Sequence, residues 1–357
     1  MMGTIKKNLK KNKAVLAVYE VVFGKLHRAG RKVRKELQIL KTRMTVKTHF
    51  CFGDKNRDKT FFVISCDGKY MGLYSMIFYM LPFIEFAHKK KYIPMIDLQK
   101  SNMPLIQDED RFGLENPWEY YYEQPGKGYT LDEVYQSRNV IIMRDETIRL
   151  TMPDWNTMFP TTDKEFKRWN QVITTYIRLN KELKDRVAKE RARIFKPGRK
   201  VMGVGIRAGL REGMLRNVAL YNGHPVQPTC EELIDIVAAK IKEWGCDSLF
   251  VSCDDREYLN KFISHFGEMC YYTERKLFHF FKDDQVILDE TERRREINEI
   301  TSKRRVEEYI LEVYLMAQCD CLYSCRGGGS EFAYFVNGGK YEHIEVYDKG
   351  LYTGLGK

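Results

Sequence analysis

Three loops, each directly after a short apolar run, carry the side chains of this chain that are best suited to chemistry. Apolar runs bounded by turn residues are typical of strands buried in a parallel sheet, and such sheets bind ligands outside the carboxyl ends of their strands. An arginine, two carboxylates and a glycine run at that edge favour a nucleoside diphosphate as the ligand. The runs and their loops are 201–206 with Arg207, 248–252 with Asp254 and Asp255, and 321–324 with 326–330.

Arg207 is the candidate for direct contact with a diphosphate. Its planar guanidinium can donate two parallel hydrogen bonds to phosphate oxygens. If these bonds strengthen as a leaving group gains charge, they also lower the barrier to bond cleavage, so Arg207 is assigned a catalytic as well as a binding role. The alternative is an ion pair with a nearby carboxylate. Arg211 and Arg216 lie in the same loop and rank second.

A glycine loop follows the third apolar run and precedes a helix that we expect over 331–336. Glycines let the backbone approach a phosphate closely, and the amides at a helix N-terminus point at an anion. The serine of the loop can cap the helix, contact phosphate, or do both. The alternative is a tight turn without a ligand. The residues expected to bind the donor are Arg326, Gly327, Gly328, Gly329 and Ser330.

Asp254 and Asp255 end the second of these units. Their carboxylates suit the hydroxyls of a ribose or the amino edge of a guanine, and both are assigned to donor binding. The alternative is that one of them caps the helix that we expect over 256–266.

An aromatic stretch at 116–125 mixes rings with carboxylates. Rings can stack on the apolar faces of sugars, so we assign Trp118, Tyr121 and Glu123 to an acceptor-side sugar platform. The alternative is that the rings close one end of a hydrophobic core.

Strand and helix patterns alternate in two halves of the chain, which predicts parallel pairing. In the first half, strands 60–66 and 92–98 flank a helix over 73–89, and a charged helix runs from Thr162 to about residue 193. Thr162 and Glu165 fit a capping box, as do Thr229 and Glu232. In the second half we expect strands 201–206, 248–252, 269–273 and 321–324, and helices 230–244, 256–266, 290–318 and 331–336.

Pro197-Gly198 breaks the pattern and marks a domain boundary. The sequence therefore predicts an α/β protein with two Rossmann-like domains that face a cleft. The expected units are a basic arm over 1–44, an acceptor-side domain over 45–196, and a nucleotide-sugar-binding domain over 197–357.

The net charge of +11 comes from the N-terminal arm, because residues 1–50 hold 14 Lys and Arg against two Glu. Apolar residues recur there at helical spacing beside a cationic face, the pattern of a helix on an anionic membrane surface. A helix packed on the rest of the chain, or a solubilising tail, is the alternative. The remainder is nearly neutral and the arm has no recognisable motif, so we expect no nucleic acid as a partner.

No apolar run reaches the ~18–20 residues that span a bilayer. Nine cysteines show no disulfide-framework spacing and indicate a reducing, cytosolic compartment. Cys319, Cys321 and Cys325 have no nearby histidine to complete a zinc site, so we expect no metal and no cofactor.

The strand-end motifs resemble the fucosyltransferase superfamily of α1,6- and nodulation fucosyltransferases, and more closely its bacterial polysaccharide-cluster branch. Three blocks carry the resemblance, which covers about residues 60–352. Gly203–Arg207 is similar to the family's strand with its pyrophosphate-binding arginine, Phe250–Asp255 to its acidic nucleoside-contacting block, and Asp320–Ala333 to its final strand, loop and helix. The resemblance implies two Rossmann-like domains of the GT-B type and metal-free binding of a nucleotide sugar, typically GDP-fucose.

The resemblance implies an inverting transferase that moves a sugar to a cell-surface polysaccharide or a lipid-linked glycan at the inner membrane face. Glu212 and Asp67 are the two candidates for the carboxylate that accepts the proton of the attacking hydroxyl. Two positions depart from the family pattern, since Leu210 replaces an aspartate and Gly205 replaces a histidine. The alternative is therefore a catalytically silent binding or scaffold subunit of a polysaccharide assembly complex.

Overall fold

The structure is a computed structural model of the 357-residue chain. It describes residues 48–66, 72–99, 116–143, 162–211, 223–275, 277, 281–282, 285–286 and 303–352. The basic arm 1–44 and both candidate bases, Asp67 and Glu212, lie outside the described residues.

The first sheet has four strands in the order β1-β4-β2-β3. Its strands are β1 (His49–Phe50), β2 (Phe61–Ile64), β3 (Ile93–Ile96) and β4 (Val140–Ile142). The central strand β2 is parallel to β3 and β4, whereas β1 pairs with β4 in antiparallel fashion. All four residues of β2 are buried, as expected for a strand covered on both faces.

The second sheet has five strands, all parallel, in the order β11-β10-β5-β6-β7. Its strands are β5 (Val201–Gly205), β6 (Ser248–Ser252), β7 (Cys270–Tyr271), β10 (Cys321–Cys325) and β11 (His343–Tyr347). From β5 the chain adds strands first on one side and then on the other. The order therefore reverses between β5 and β10, which is the switch point where ligands of such sheets bind. A separate hairpin joins β8 (Phe281–Lys282) to β9 (Gln285–Val286).

Eight α-helices connect these strands in the part of the chain that is described. They are α1 (Leu73–Lys89), α2 (Leu131–Val134), α3 (Asp163–Tyr176), α4 (Lys181–Ile194), α5 (Cys230–Trp244), α6 (Arg256–Phe266), α7 (Lys303–Met316) and α8 (Gly328–Asn337). The helices predicted over 73–89, 230–244 and 256–266 are confirmed to the residue. Thr162 and Thr229 accept hydrogen bonds from the amides of Glu165 and Glu232, as N-caps do.

The single helix predicted from residue 162 to about 193 was wrong. The chain leaves the helix after Tyr176, and Leu179 forms an isolated bridge with Tyr122. Asn180 then caps a new helix by accepting a hydrogen bond of 3.0 Å from the amide of Leu183. A tertiary pairing and a local cap together outweigh the continuous helical pattern.

One hydrophobic cluster joins the two sheets through α1, α3, α4, α7 and α8. It contains residues from one face of each sheet, for example Phe62 and Ile64 from β2 and Phe250 from β6. Separate clusters cover the outer faces of the two sheets. The predicted α/β class is confirmed, whereas the division into two domains and the boundary at Pro197-Gly198 stay predictions. Within the described ranges, no helix is both long and apolar enough to cross a membrane.

Candidate functional site

A cavity of about 260 Å³ lies at the carboxyl ends of β5, β6 and β10. It therefore sits at the switch point of the second sheet, and the start of α1 brings the first half of the chain to the same place. Its lining includes Gly72, Leu73, Arg207, Asp254, Arg275, Gly327, Gly329 and Ser330.

Arg207 follows β5 and lines this cavity with an exposed side chain. Its guanidinium forms no ion pair within 4 Å with any residue that the structure describes. A Cβ built on Gly327 would lie 3.2 Å from the Cδ of Arg207, so the arginine stem runs along the glycine loop. The ion-pair alternative is thus not observed in the described ranges, and a positive charge faces the cavity.

The glycine loop is the first turn of a helix rather than a turn before one. The predicted start at residue 331 was wrong, because α8 begins at Gly328, with Gly327 as an extended N-cap residue that provides no side-chain cap. The amides of such a first turn have no partner within the helix, and they carry the positive end of its dipole. This turn can therefore accept an anion from the cavity.

Close packing explains why glycine occupies this turn. A Cβ on Gly328 would lie 3.2 Å from the Cβ of Tyr74 on α1. A Cβ on Gly329 would overlap the Oη of Tyr309 on α7. Glycine is a poor helix former, but here it lets α8 pack directly on both neighbouring helices.

Asp254 and Asp255 have different environments. Asp254 lines the cavity, and its Oδ1 accepts a hydrogen bond of 2.8 Å from the amide of Ala208, which ties the loop after β6 to the loop after β5. Burial raises the pKa of Asp254, while the charges of Arg207 and Arg275 act in the opposite direction. Its role toward a ligand stays a prediction.

Asp255 is fully buried and caps α6, where its Oδ1 accepts a hydrogen bond of 3.0 Å from the amide of Tyr258. The structure therefore favours the capping alternative for this residue. Assigning Asp255 to the donor is not supported, because its carboxylate is used by the helix and does not line the cavity.

Arg326 also does not line the cavity. Its Nη1 lies 3.3 Å from the Oδ2 of Asp348, which follows β11. Of the loop residues that were predicted to bind the donor, Gly327, Gly329 and Ser330 line the cavity, whereas Gly328 packs on α1.

The two rings of the proposed sugar platform are buried. Trp118 is 1% exposed and Tyr121 is 5% exposed. The Trp118 ring stacks on Tyr122 with a centroid distance of 4.6 Å, and its Nε1 donates to the carbonyl of Glu123. The Glu123 carboxylate pairs with Arg178 at 2.8 Å. These contacts favour the core-closing alternative, since no ring face of Trp118 is available to a sugar.

Arg275, which no sequence motif identifies, lines the cavity four residues after β7 ends. Its Nη2 donates to the carbonyl of Cys253, and its Nε lies 2.8 Å from Glu312 on α7. Its position is informative, because Arg275 follows a strand that ends at the same sheet edge as the strand before Arg207. The segment predicted as that strand, 269–273, carries no motif that marks a binding site, so the position alone did not identify Arg275.

Glu331 was also overlooked. It lies in the first turn of α8 and is 1% exposed, and neither of its carboxylate oxygens has a hydrogen-bond partner among the residues that the structure describes. Burial raises the pKa of Glu331 well above its ordinary value, and Arg326 and Arg207 oppose this effect. The neutral form of the carboxyl is therefore favoured beside the candidate anion site.

No protein-family model matches the chain, and no curated protein matches it. Among solved structures, the chain is similar to NodZ alpha-1,6-fucosyltransferase soaked with GDP-fucose, with 14% identity, a TM-score of 0.43, and coverage of 78% of this chain and 93% of that chain. The chain is also similar to fucosyltransferase NodZ from Bradyrhizobium, with 14% identity, a TM-score of 0.41, and coverage of 77% of this chain and 92% of that chain. A third similar structure is POFUT1 in complex with GDP-fucose, with 9% identity, a TM-score of 0.44, and coverage of 82% of this chain and 99% of that chain. Because these TM-scores lie below 0.5, function has to be inferred from the site itself.

Proposed function

We propose that this chain is a glycosyltransferase that moves a sugar from a nucleoside diphosphate to a glycan acceptor. One observation carries the proposal: the Arg207 guanidinium and the open first turn of α8 meet in one cavity at the switch point between β5 and β10. A guanidinium and a helix N-terminus are both preferred partners of phosphate oxygens.

The reaction would proceed by direct displacement with inversion at the anomeric carbon. The acceptor oxygen forms a bond to that carbon while the bond to the diphosphate oxygen breaks, and the diphosphate leaves with the electron pair. Arg207 and the amides of the α8 turn would stabilise the charge that grows on the leaving group, and this assignment requires no metal. Asp67 and Glu212 remain the candidates for the base that takes the acceptor proton.

GDP-fucose is the best candidate for the donor, since the strand-end blocks that contain Arg207, Asp254 and Ser330 resemble fucosyltransferases. A cell-surface polysaccharide or a lipid-linked glycan is the corresponding acceptor. In this proposal the basic arm, residues 1–44, holds the protein at an anionic membrane surface.

A catalytically silent binding subunit is the second candidate. Leu210 and Gly205, which depart from the family pattern, favour it. The exposed guanidinium of Arg207 argues against a silent subunit, because a scaffold has no need of an exposed arginine beside a helix N-terminus.

Thermal unfolding in the presence of GDP, UDP, dTDP and CMP, with and without EDTA, tests the proposal. A ligand at a hundred times its dissociation constant adds about 2.7 kcal/mol to the free energy of unfolding. Stabilisation by GDP alone that is unchanged by EDTA supports a metal-free GDP-sugar site. Stabilisation by another nucleotide would support a glycosyltransferase that uses a different nucleotide sugar as its donor. No stabilisation by any of the four nucleotides would contradict the proposal.

A further inference from the structure

A buried ion pair holds Arg275 at the wall of the cavity. Its side chain is 11% exposed, and its Nε lies 2.8 Å from the Oε1 of Glu312, whose side chain is 3% exposed. The Nη2 of Arg275 donates to the backbone carbonyl of Cys253. The N–H of Nε makes no hydrogen bond within the described residues, although the Glu312 carboxylate is close, and the Arg275 side chain lines the cavity.

Glu312 has more partners than a simple ion pair requires. Its Oε2 accepts a hydrogen bond of 2.8 Å from the Oγ of Ser252, at the end of β6. Its Oε1 accepts a hydrogen bond from the Oγ1 of Thr273, which follows β7. One carboxylate on α7 thereby joins the ends of two strands and fixes the guanidinium between them. A buried carboxylate with several donors keeps its partner in one geometry.

Arg275 and Arg207 approach the cavity from different strands. Arg207 follows β5, Arg275 follows β7, and Asp254, which follows β6, lies in the same wall. The charge of Arg275 is compensated by Glu312, so its side chain can stay in place while the cavity is empty. Such a preorganised guanidinium loses little freedom when it binds a phosphate.

We propose that Arg275 is a second phosphate-binding arginine of this cavity, and that Glu312 is the positioning residue that fixes it. The ligand class is a nucleoside diphosphate, with Arg207 and Arg275 on separate sides of its two phosphates. The inference rests on the proposed function and adds a residue that neither the motifs nor the resemblance identifies.

The alternative is a purely structural tie between the loops after β6 and β7. The two roles differ in which ligands they affect. A phosphate contact changes the affinity for GDP and leaves that for guanosine unchanged, whereas a structural tie changes both together.

Calorimetric titration of the full chain with GDP, GMP and guanosine separates these roles. Arg275→Gln removes the charge, and we expect it to weaken GDP binding about tenfold or more while guanosine binding changes by less than about twofold. Arg304→Gln is the matched control, because Arg304 is on α7 with an 83% exposed side chain and does not line the cavity. Arg275→Lys keeps the positive charge and the aliphatic part of the side chain but lacks the planar guanidinium that binds two phosphate oxygens at once. This variant replaces Arg275→Gln in the test if Arg275→Gln does not fold.

Glu312→Gln tests the positioning role. We expect the same selective loss for GDP, and no further loss when Glu312→Gln is added to Arg275→Gln, because the carboxylate acts through the arginine. Glu308→Gln is the matched control, since Glu308 is one turn earlier on α7 and is also buried.

The outcomes separate the two proposals. If the unmodified protein binds no nucleoside diphosphate, the proposed function fails and this inference fails with it. If it binds GDP and Arg275→Gln binds equally well, or loses GDP and guanosine to the same degree, only the phosphate role of Arg275 is overturned. Additive losses for Glu312→Gln and Arg275→Gln would overturn the positioning role of Glu312.

Discussion

Gly205 and Ser330 lie so close together that the structure has no room for a side chain at position 205. A Cβ there would lie 2.5 Å from the Oγ of Ser330 and 3.2 Å from the Cβ of Ser324. The end of β5 and the first turn of α8 are therefore in direct contact, and this contact sets the helix N-terminus beside Arg207. The glycine at position 205, where the sequence resemblance would place a histidine, therefore has a physical reason in the packing of the glycine loop.

Gly205→Ala should destabilise the protein by about 1–3 kcal/mol, because the added methyl group overpacks the contact with Ser330. Ser330→Ala removes the Oγ and should recover part of that loss in the double variant. Gly72→Ala is the control, since a Cβ there meets nothing within 4 Å. Urea unfolding measures the four variants and the unmodified chain, and a Gly205→Ala variant as stable as the unmodified chain would show that this contact is not overpacked.

Asp255→Ala should lower stability by about 1 kcal/mol through the loss of the α6 cap. It should leave nucleotide affinity nearly unchanged, because the Asp255 side chain is buried away from the cavity. Asp254→Ala should do the reverse, with weaker nucleotide binding as the main effect. Thermal unfolding together with calorimetric titration checks both, and equal losses of affinity in the two variants would contradict the distinction.

Glu331→Gln should make stability less dependent on pH. Burial raises the pKa of Glu331 well above its ordinary value of 4.5, so its contribution to stability is present below that value and is lost as the pH rises through the folded-state pKa. The amide stays neutral, so the variant should gain about 1 kcal/mol or more over the unmodified chain at alkaline pH. Unfolding free energies across the pH range test this, and parallel curves for the two proteins would show that Glu331 does not titrate as expected.

Removal of residues 1–44 should release the protein from vesicles that contain anionic lipid. Each basic residue near such a surface contributes about 1 kcal/mol, and salt screens the attraction. Co-sedimentation with anionic and with neutral vesicles measures the effect. Equal sedimentation of the full and the shortened chain would mean that the arm is not the membrane contact.

Sequence patterns identified the parts of the fold that are determined locally. Apolar runs and periodic helices located β6, α1, α5 and α6, and the capping threonines marked helix starts at residues 163 and 230. Arg207 and the glycine loop could be found because each directly follows a strand that ends at the same sheet edge.

The rest depends on contacts between distant residues. Glycine is a poor helix former, so the local sequence does not indicate that α8 begins inside the glycine run. The close packing of these glycines on Tyr74 and Tyr309 determines where the helix begins. The Arg275–Glu312 pair could not be found because the partners belong to different elements. Five strands, β1, β4, β8, β9 and β11, were also missed, since each is defined by pairing with a neighbour.

The role of Arg207 in sugar transfer is tested by measuring the release of sugar from GDP-fucose by the full chain and by Arg207→Ala, with and without acceptor glycan. We expect turnover that EDTA does not affect, and a loss of about two to three orders of magnitude in Arg207→Ala with unchanged thermal unfolding. Arg304→Ala, on the exposed face of α7, should retain full activity. Near-normal turnover in Arg207→Ala would mean that Arg207 does not stabilise the leaving diphosphate.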